Sequence, residues 1–201
     1  MTTVESLAEI AGLQPVPELT PAGRRLLDAA SELFYEHGIR AVGVDLIAER
    51  AGTTKKTLYD RFGSKDELVA LYLRRRAHRV RAHVAARVEG VPPGRERLLA
   101  VYDALESWLR AQSRGCGFVN AYAEVGGTDH PAIAVIRAEK AWTRELFADL
   151  ARDAGLAEPD QVAAELHLLY EGATVVATAG GDPSILTAAR KAAARVVAAA
   201  A

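Results

Sequence analysis

Lys55 to Lys65 reads KKTLYDRFGSK and carries the side chains most suited to a partner. Leu58 and Phe62, four apart, form the only inward pair of a short helix over 55–62. The rest of that helix presents Lys55, Lys56, Thr57, Tyr59, Asp60 and Arg61. Hydrogen-bond donors and positive charge on a helix with one narrow apolar stripe suit insertion into a DNA major groove. Bond-making chemistry has no comparable set. The histidines are scattered, no HExxH occurs, and no phosphate-cradling glycine loop follows a strand. Cys116 stands between Gly115 and Gly117 with no placed histidine to activate it. The expectation is no enzyme, no metal and no cofactor.

A reading helix needs a frame, and the flanking residues predict one. Val44, Ile47, Ala48 and Ala51 recur at helical spacing, so a short amphipathic helix ends near Ala51. Gly52 follows where the chain must turn sharply. Thr53 and Thr54 can cap the next helix by accepting from its free N–H groups. Gly63 and Ser64 break that helix, and Lys65 opens another. Upstream, Thr20-Pro21 starts a helix with Leu27, Ala30, Leu33 and Phe34 inward, closed by Gly38. These helices form a small helical core around a helix-turn-helix.

The segment from about Thr20 to Leu71 resembles the DNA-binding domain of the TetR family of transcriptional regulators. The residues that carry the likeness are Ile47-Ala48, Ala51-Gly52, Thr57-Leu58-Tyr59, Phe62 and Lys65-Asp66-Glu67-Leu68. The resemblance implies that Lys55, Lys56 and Thr57 face base edges, with Thr54 also among the DNA-binding residues. It implies that Tyr59, Arg61 and Lys65 mainly touch phosphates, which fix register without reading sequence. Asp60 either accepts from a cytosine amino group or orients a neighbouring cation. Arg24 and Arg25 either touch phosphate or are solvated. Two departures stand out. Gly43 and Val44 replace the threonine many relatives have there, removing a capping hydroxyl, and Lys56 replaces a residue that is often small.

Charge is distributed to match. The 201 residues sum to −1, but residues 20–90 hold 14 Lys and Arg against 9 Asp and Glu. Residues 91–201 hold 11 against 14. A basic module joined to an acidic remainder confines DNA contact to one part of the chain. The single Cys116 excludes an intrachain disulfide and suits a reducing cytoplasm. No apolar run approaches the roughly 18 residues of a membrane span, and the N-terminus has no secretory pattern. Residues 1–19, with Glu5, Glu9 and Glu18, read as an arm containing at most a short helix over 4–11. The expected division is an arm over 1–19, a DNA-binding domain over 20–66 and a ligand-binding and dimerisation domain over 67–201.

The remainder is predicted helical throughout, giving an all-α fold. A long helix over 65–89 carries Arg74, Arg75, Arg76, Arg79, Arg81 and Arg87, read as a solvated face rather than more DNA surface. GC-x-x-x-NA-x-x-E, from Gly115 to Glu124, resembles a subset of TetR-type proteins. Leu166, Leu169, Ala173 and Val176 share a face of one late helix, and Ile185, Ala189, Ala192 and Val196 a face of the last. The resemblance implies that these pair with twofold mates in a homodimer. It also implies a pocket for a partly apolar or aromatic small molecule. Its candidate lining is Tyr102, Trp108, Phe118, Tyr122, Trp142 and Tyr170, with Asn120, Glu124 and His167 as polar groups. The implied function is a ligand-released repressor on a palindromic operator. A structural DNA-binding protein without an effector and a TetR-like activator are the alternatives.

Overall fold

The computed structural model describes residues 14–112 and 114–201. The short helix expected over 4–11 lies outside them. Among the described residues the helices are α1 (Pro21–His37), α2 (Val44–Arg50), α3 (Lys55–Phe62), α4 (Lys65–Glu89), α5 (Arg95–Arg110), α6 (Gly117–Val125), α7 (Ala132–Asp153), α8 (Pro159–Thr178) and α9 (Ser184–Ala199). No strand occurs among them.

Local chemistry sets the ends of these helices. Thr20 Oγ1 accepts from the Gly23 N–H at 3.2 Å, with Pro21 in the first turn of α1. Gly38 closes α1 at φ +91°, and its N–H donates to Phe34 O at 3.1 Å.

The chain divides into two compact units. The first comprises the described residues up to Ala77 together with Cys116–Ala138. The second comprises His78–Gly115 and Glu139–Ala201. The chain therefore passes between units three times, within α4, before α6, and within α7.

In the first unit, Leu26, Leu27, Leu33 and Phe34 of α1 are buried with Ile47, Leu58 and Leu68. Phe34 and Tyr72 pack with ring centroids 5.9 Å apart. The arginine run of α4 is not simply solvated. Arg75 reaches α1, pairing with Asp28 and donating to Leu27 O at 3.0 Å and Ser31 Oγ at 2.6 Å. Arg76 lies over the Tyr35 ring at 4.4 Å. Helical spacing turns these two positions toward acceptors on α1, so charge alone did not reveal their role; Arg79 and Arg87 are exposed.

In the second unit, Tyr102, Phe147 and Tyr170 form a ring cluster with centroids 5.8–6.2 Å apart. The Tyr102 hydroxyl donates to Leu166 O at 2.6 Å, and burial pushes its phenol up. Arg81 is buried too. Its Nε donates to Glu139 Oε2 at 2.9 Å, and its guanidinium lies 4.9 Å from the Trp142 ring centre. Burial pushes the Glu139 carboxyl up, and Arg81 only partly offsets it. Beside this pair, Lys140 Nζ donates to both oxygens of Glu171 at 2.7 Å, and His167 Nε2 lies 3.4 Å from Glu171 Oε1.

Burial pushes the Glu171 carboxyl up, but His167 and Lys140 outweigh it and hold it below its ordinary 4.5. A depressed carboxylate stabilises the fold fully above its unfolded pKa and loses that contribution as pH falls through its folded pKa. The melting-temperature deficit of Glu171→Gln is therefore expected at neutral pH and to shrink as pH is taken below 4.5. A deficit that stays constant from pH 7 to pH 3 would remove the ion pair as its cause.

Candidate nucleic-acid interface

Helices α2 and α3 are short and depend on packing for stability. Ile47 and Ala48 bury α2, and Leu58 alone is buried on α3. Between them Gly52 takes φ +60° and the Thr53 N–H donates to Ala48 O at 2.9 Å. Thr54, the N-cap of α3, accepts from the Thr57 N–H at 3.2 Å, and the two hydroxyls are 2.9 Å apart.

The outward face of α3 is as the spacing predicts. Lys55, Lys56, Asp60 and Arg61 are exposed, and Tyr59 is 43% exposed. Lys55 Nζ reaches Asp45 Oδ2 on α2 at 3.3 Å, and Lys56 Nζ reaches Asp60 Oδ2 at 2.7 Å. Such exposed pairs contribute little and are screened by salt, so both lysines exchange partners at small cost. Asp60 thus pairs with Lys56 on the exposed face of α3.

Lys65, expected at a phosphate, and Arg25, expected either at a phosphate or solvated, have inward work. Lys65 Nζ donates to Ile39 O at 2.6 Å and lies 5.9 Å from the Phe34 ring centre. Burial lowers its pKa, while Asp66 and Glu124 pull it back up. Arg25 Nε donates to Ala51 O at 3.1 Å, closing the C-terminal end of α2. Arg24 is exposed.

The missing cap is real. Gly43 stands at the N-cap of α2 with no side-chain hydrogen bond, at φ −82°, ψ 156°. A Cβ there meets nothing within 4 Å. Gly43→Ser is expected to stabilise the protein by about 0.5–1 kcal/mol, through a cap and a less flexible unfolded chain. Thermal unfolding checks this; an unchanged melting temperature would mean the serine does not cap.

The residues expected to line one pocket fall into both units. Tyr102, Trp108, Trp142, His167 and Tyr170 belong to the second, and Phe118, Asn120, Tyr122 and Glu124 to the first. Tyr102 and Trp142 are buried in packing already described, while Trp108 faces the His83 ring at 5.3 Å. Phe118 is buried and Tyr122 exposed. Glu124, expected as a pocket group, instead accepts the N–H groups of Ile39 and Arg40, which engages both its oxygens. Sequence spacing carried no signal for a tie spanning 85 residues.

The late helices also differ in detail. Leu166, Ala173 and Ala189 are buried within the protomer, so they serve its own core. Leu169, Ile185, Ala192 and Val196 are half-buried, and Val176 is exposed. The exposed apolar side chains of α8 are Leu168 at 76%, Val175 at 49% and Val176. With Gly172 and Ala179, also exposed, they form one stripe at helical spacing.

Comparison with known proteins agrees with this geometry. Residues 26–72 match the family described as bacterial regulatory proteins, tetR family. Residues 94–193 match the tetracyclin repressor-like C-terminal domain. Over 135 residues the chain is 35% identical to the HTH-type transcriptional activator FasR of Mycolicibacterium smegmatis, covering 66% of this chain and 60% of that protein. Over 55 residues it is 47% identical to the HTH-type transcriptional repressor KstR2 of Rhodococcus jostii, covering 26% and 27%. The chain thus spans less than two thirds of the curated relatives it matches. A TetR-family regulator from Streptomyces coelicolor superposes with a TM-score of 0.84 at 29% identity, covering 90% of each chain. With a capped helix-turn-helix on a buried frame, and both halves of the chain matched, the chain belongs to the TetR family.

Proposed function

We propose that the chain is a ligand-released repressor that binds a palindromic operator as a twofold homodimer. The outward face of α3 carries this reading, with Lys55, Lys56 and Thr57 toward base edges and Tyr59 and Arg61 toward phosphates. A lone short helix reads too few base pairs to find one site, and a twofold dimer doubles the site on one face of the duplex. The stripe of Leu168, Val175 and Val176 is the self-complementary surface for that dimer.

The second unit takes a small molecule of partly apolar or aromatic character. Its ring cluster and the Lys140–Glu171–His167 group are the chemistry that supports this. A ligand that binds one head spacing better than another lowers operator affinity by that difference. The protein works in the cytoplasm, where DNA is accessible; among the described residues no helix is long and apolar enough to cross a membrane.

A second reading, an activator, is favoured by the likeness to the activator FasR, which is matched over more of the chain than KstR2. Selection of bound duplexes from a random library at physiological salt tests the shared core of both readings. A palindromic consensus is expected. Enrichment without a consensus would replace it with a structural DNA-binding role. A reporter driven by the selected site then separates the signs, because a repressor lowers expression and an activator raises it.

A further inference from the structure

We propose that Glu124 is a positioning residue for operator recognition, seated on the turn between α1 and α2 so as to hold the helix-turn-helix in its reading orientation. This rests on the reading that α3 binds an operator. The Glu124 carboxylate accepts the Ile39 N–H on Oε1 at 2.9 Å and the Arg40 N–H on Oε2 at 2.7 Å. Two adjacent amides aimed at one carboxylate make an anion-binding nest. The contact is reciprocal, because Arg40 Nη2 donates to Glu124 O at 2.6 Å. Gly38, at φ +91°, leaves room for it: a Cβ there would stand 3.0 Å from Glu124 Oε1.

The nest sits where the helix-turn-helix begins, and a second contact sits where it ends. Ile39 gives its N–H to Glu124 while its carbonyl accepts from Lys65, just past α3. The strand of contacts therefore closes the base of the loop that carries α2 and α3. Beyond α6, His130 Nδ1 accepts the Ala132 N–H at 3.1 Å, which leaves the proton on Nε2. That Nε2 lies 3.4 Å from Asp66 Oδ1 at the start of α4. The segment from Glu124 to His130 thus touches both ends of the helix-turn-helix. Charge-assisted bonds to backbone amides are short and directional, so they fix an angle as well as a distance. The longer stretch Cys116–Ala138 that contains it joins the second unit at both of its ends, at Gly115 and Glu139. Its register is therefore a property that a change in that unit can reach through the chain.

A residue that only stabilises the fold and one that positions the reading helix differ in one observable. Positioning is needed for base contacts but not for loose, charge-driven binding to any duplex. The test uses the full chain and the duplex selected above, with a scrambled duplex of equal length beside it. Glu124→Ala is expected to lose about 10- to 100-fold in affinity for the selected duplex, as lost bonds to a charged group do, with scrambled-duplex affinity within twofold of wild type. Hydrogen exchange without DNA should quicken at the Ile39 and Arg40 amides. Glu124→Gln keeps the size and one acceptor oxygen, so its loss should be intermediate, and it serves if the alanine variant does not fold. Equal affinity of the variants and wild type for the selected duplex overturns the proposal, as does an equal loss on both duplexes. Failure of the wild type to prefer any duplex instead removes the operator reading, and this inference with it.

Discussion

Replacing Leu168 and Val175 together by glutamate is expected to give a folded monomer that binds the operator about 100- to 10,000-fold more weakly than the proposed dimer, the range lost when two linked contacts become one. Both side chains are solvated in the protomer, at 76% and 49% exposure, so glutamate there costs the protomer's own core nothing. Across a twofold axis each new charge faces its own copy or a near neighbour. Like charges on a desolvated apolar surface are costly on both counts. Circular dichroism should be unchanged while sedimentation reports the monomer mass. A variant that stays dimeric at micromolar concentration would place the interface elsewhere on the molecule.

Glu139→Ala is expected to destabilise the protein by about 3–5 kcal/mol, because breaking one side of a buried pair strands the other charge. In a chain of this size that lowers the melting temperature by roughly 6–20 °C. Arg81, 1% exposed, cannot shed its proton, so its charge stays inside with the Glu139 counter-charge gone. Exchanging both partners, Arg81→Met with Glu139→Leu, removes the charges together and is expected to unfold within about 1–2 kcal/mol of wild type. Urea denaturation of the three proteins decides it. A single variant as stable as the double would mean the pair adds nothing beyond volume.

What the sequence made legible follows the range of the interactions. Helix periods, Thr20 and Thr54 as caps, and Gly38, Gly52 and Gly63 as breakers act within a few residues. They placed α1 through α4 and the outward face of α3. Lys56 with Asp60, at i and i+4, was likewise readable. Long-range ties left no such mark. Arg75 on Asp28, Arg25 on Ala51 and Glu124 on Ile39 join residues 26 to 85 apart, and each cation or carboxylate is as plausible on a solvated surface. The exposed stripe of α8 was not legible for a related reason. A helix with two apolar faces offers two stripes, and only packing against α9 and α5 decides that Leu166 and Ala173 turn inward while Leu168 and Val175 turn out.

The threefold passage of the chain between its units bears on protein engineering. A sensor made by grafting a new reading head onto this chain is usually imagined as one cut and one splice after the N-terminal helices. Here a fragment ending at Ala77 would carry α3 but leave behind Cys116–Ala138. The Ile39 and Arg40 amides would lose Glu124, and Asp66 would lose His130. A working chimera of this regulator has to exchange two separate stretches of sequence, with junctions inside two helices and one loop.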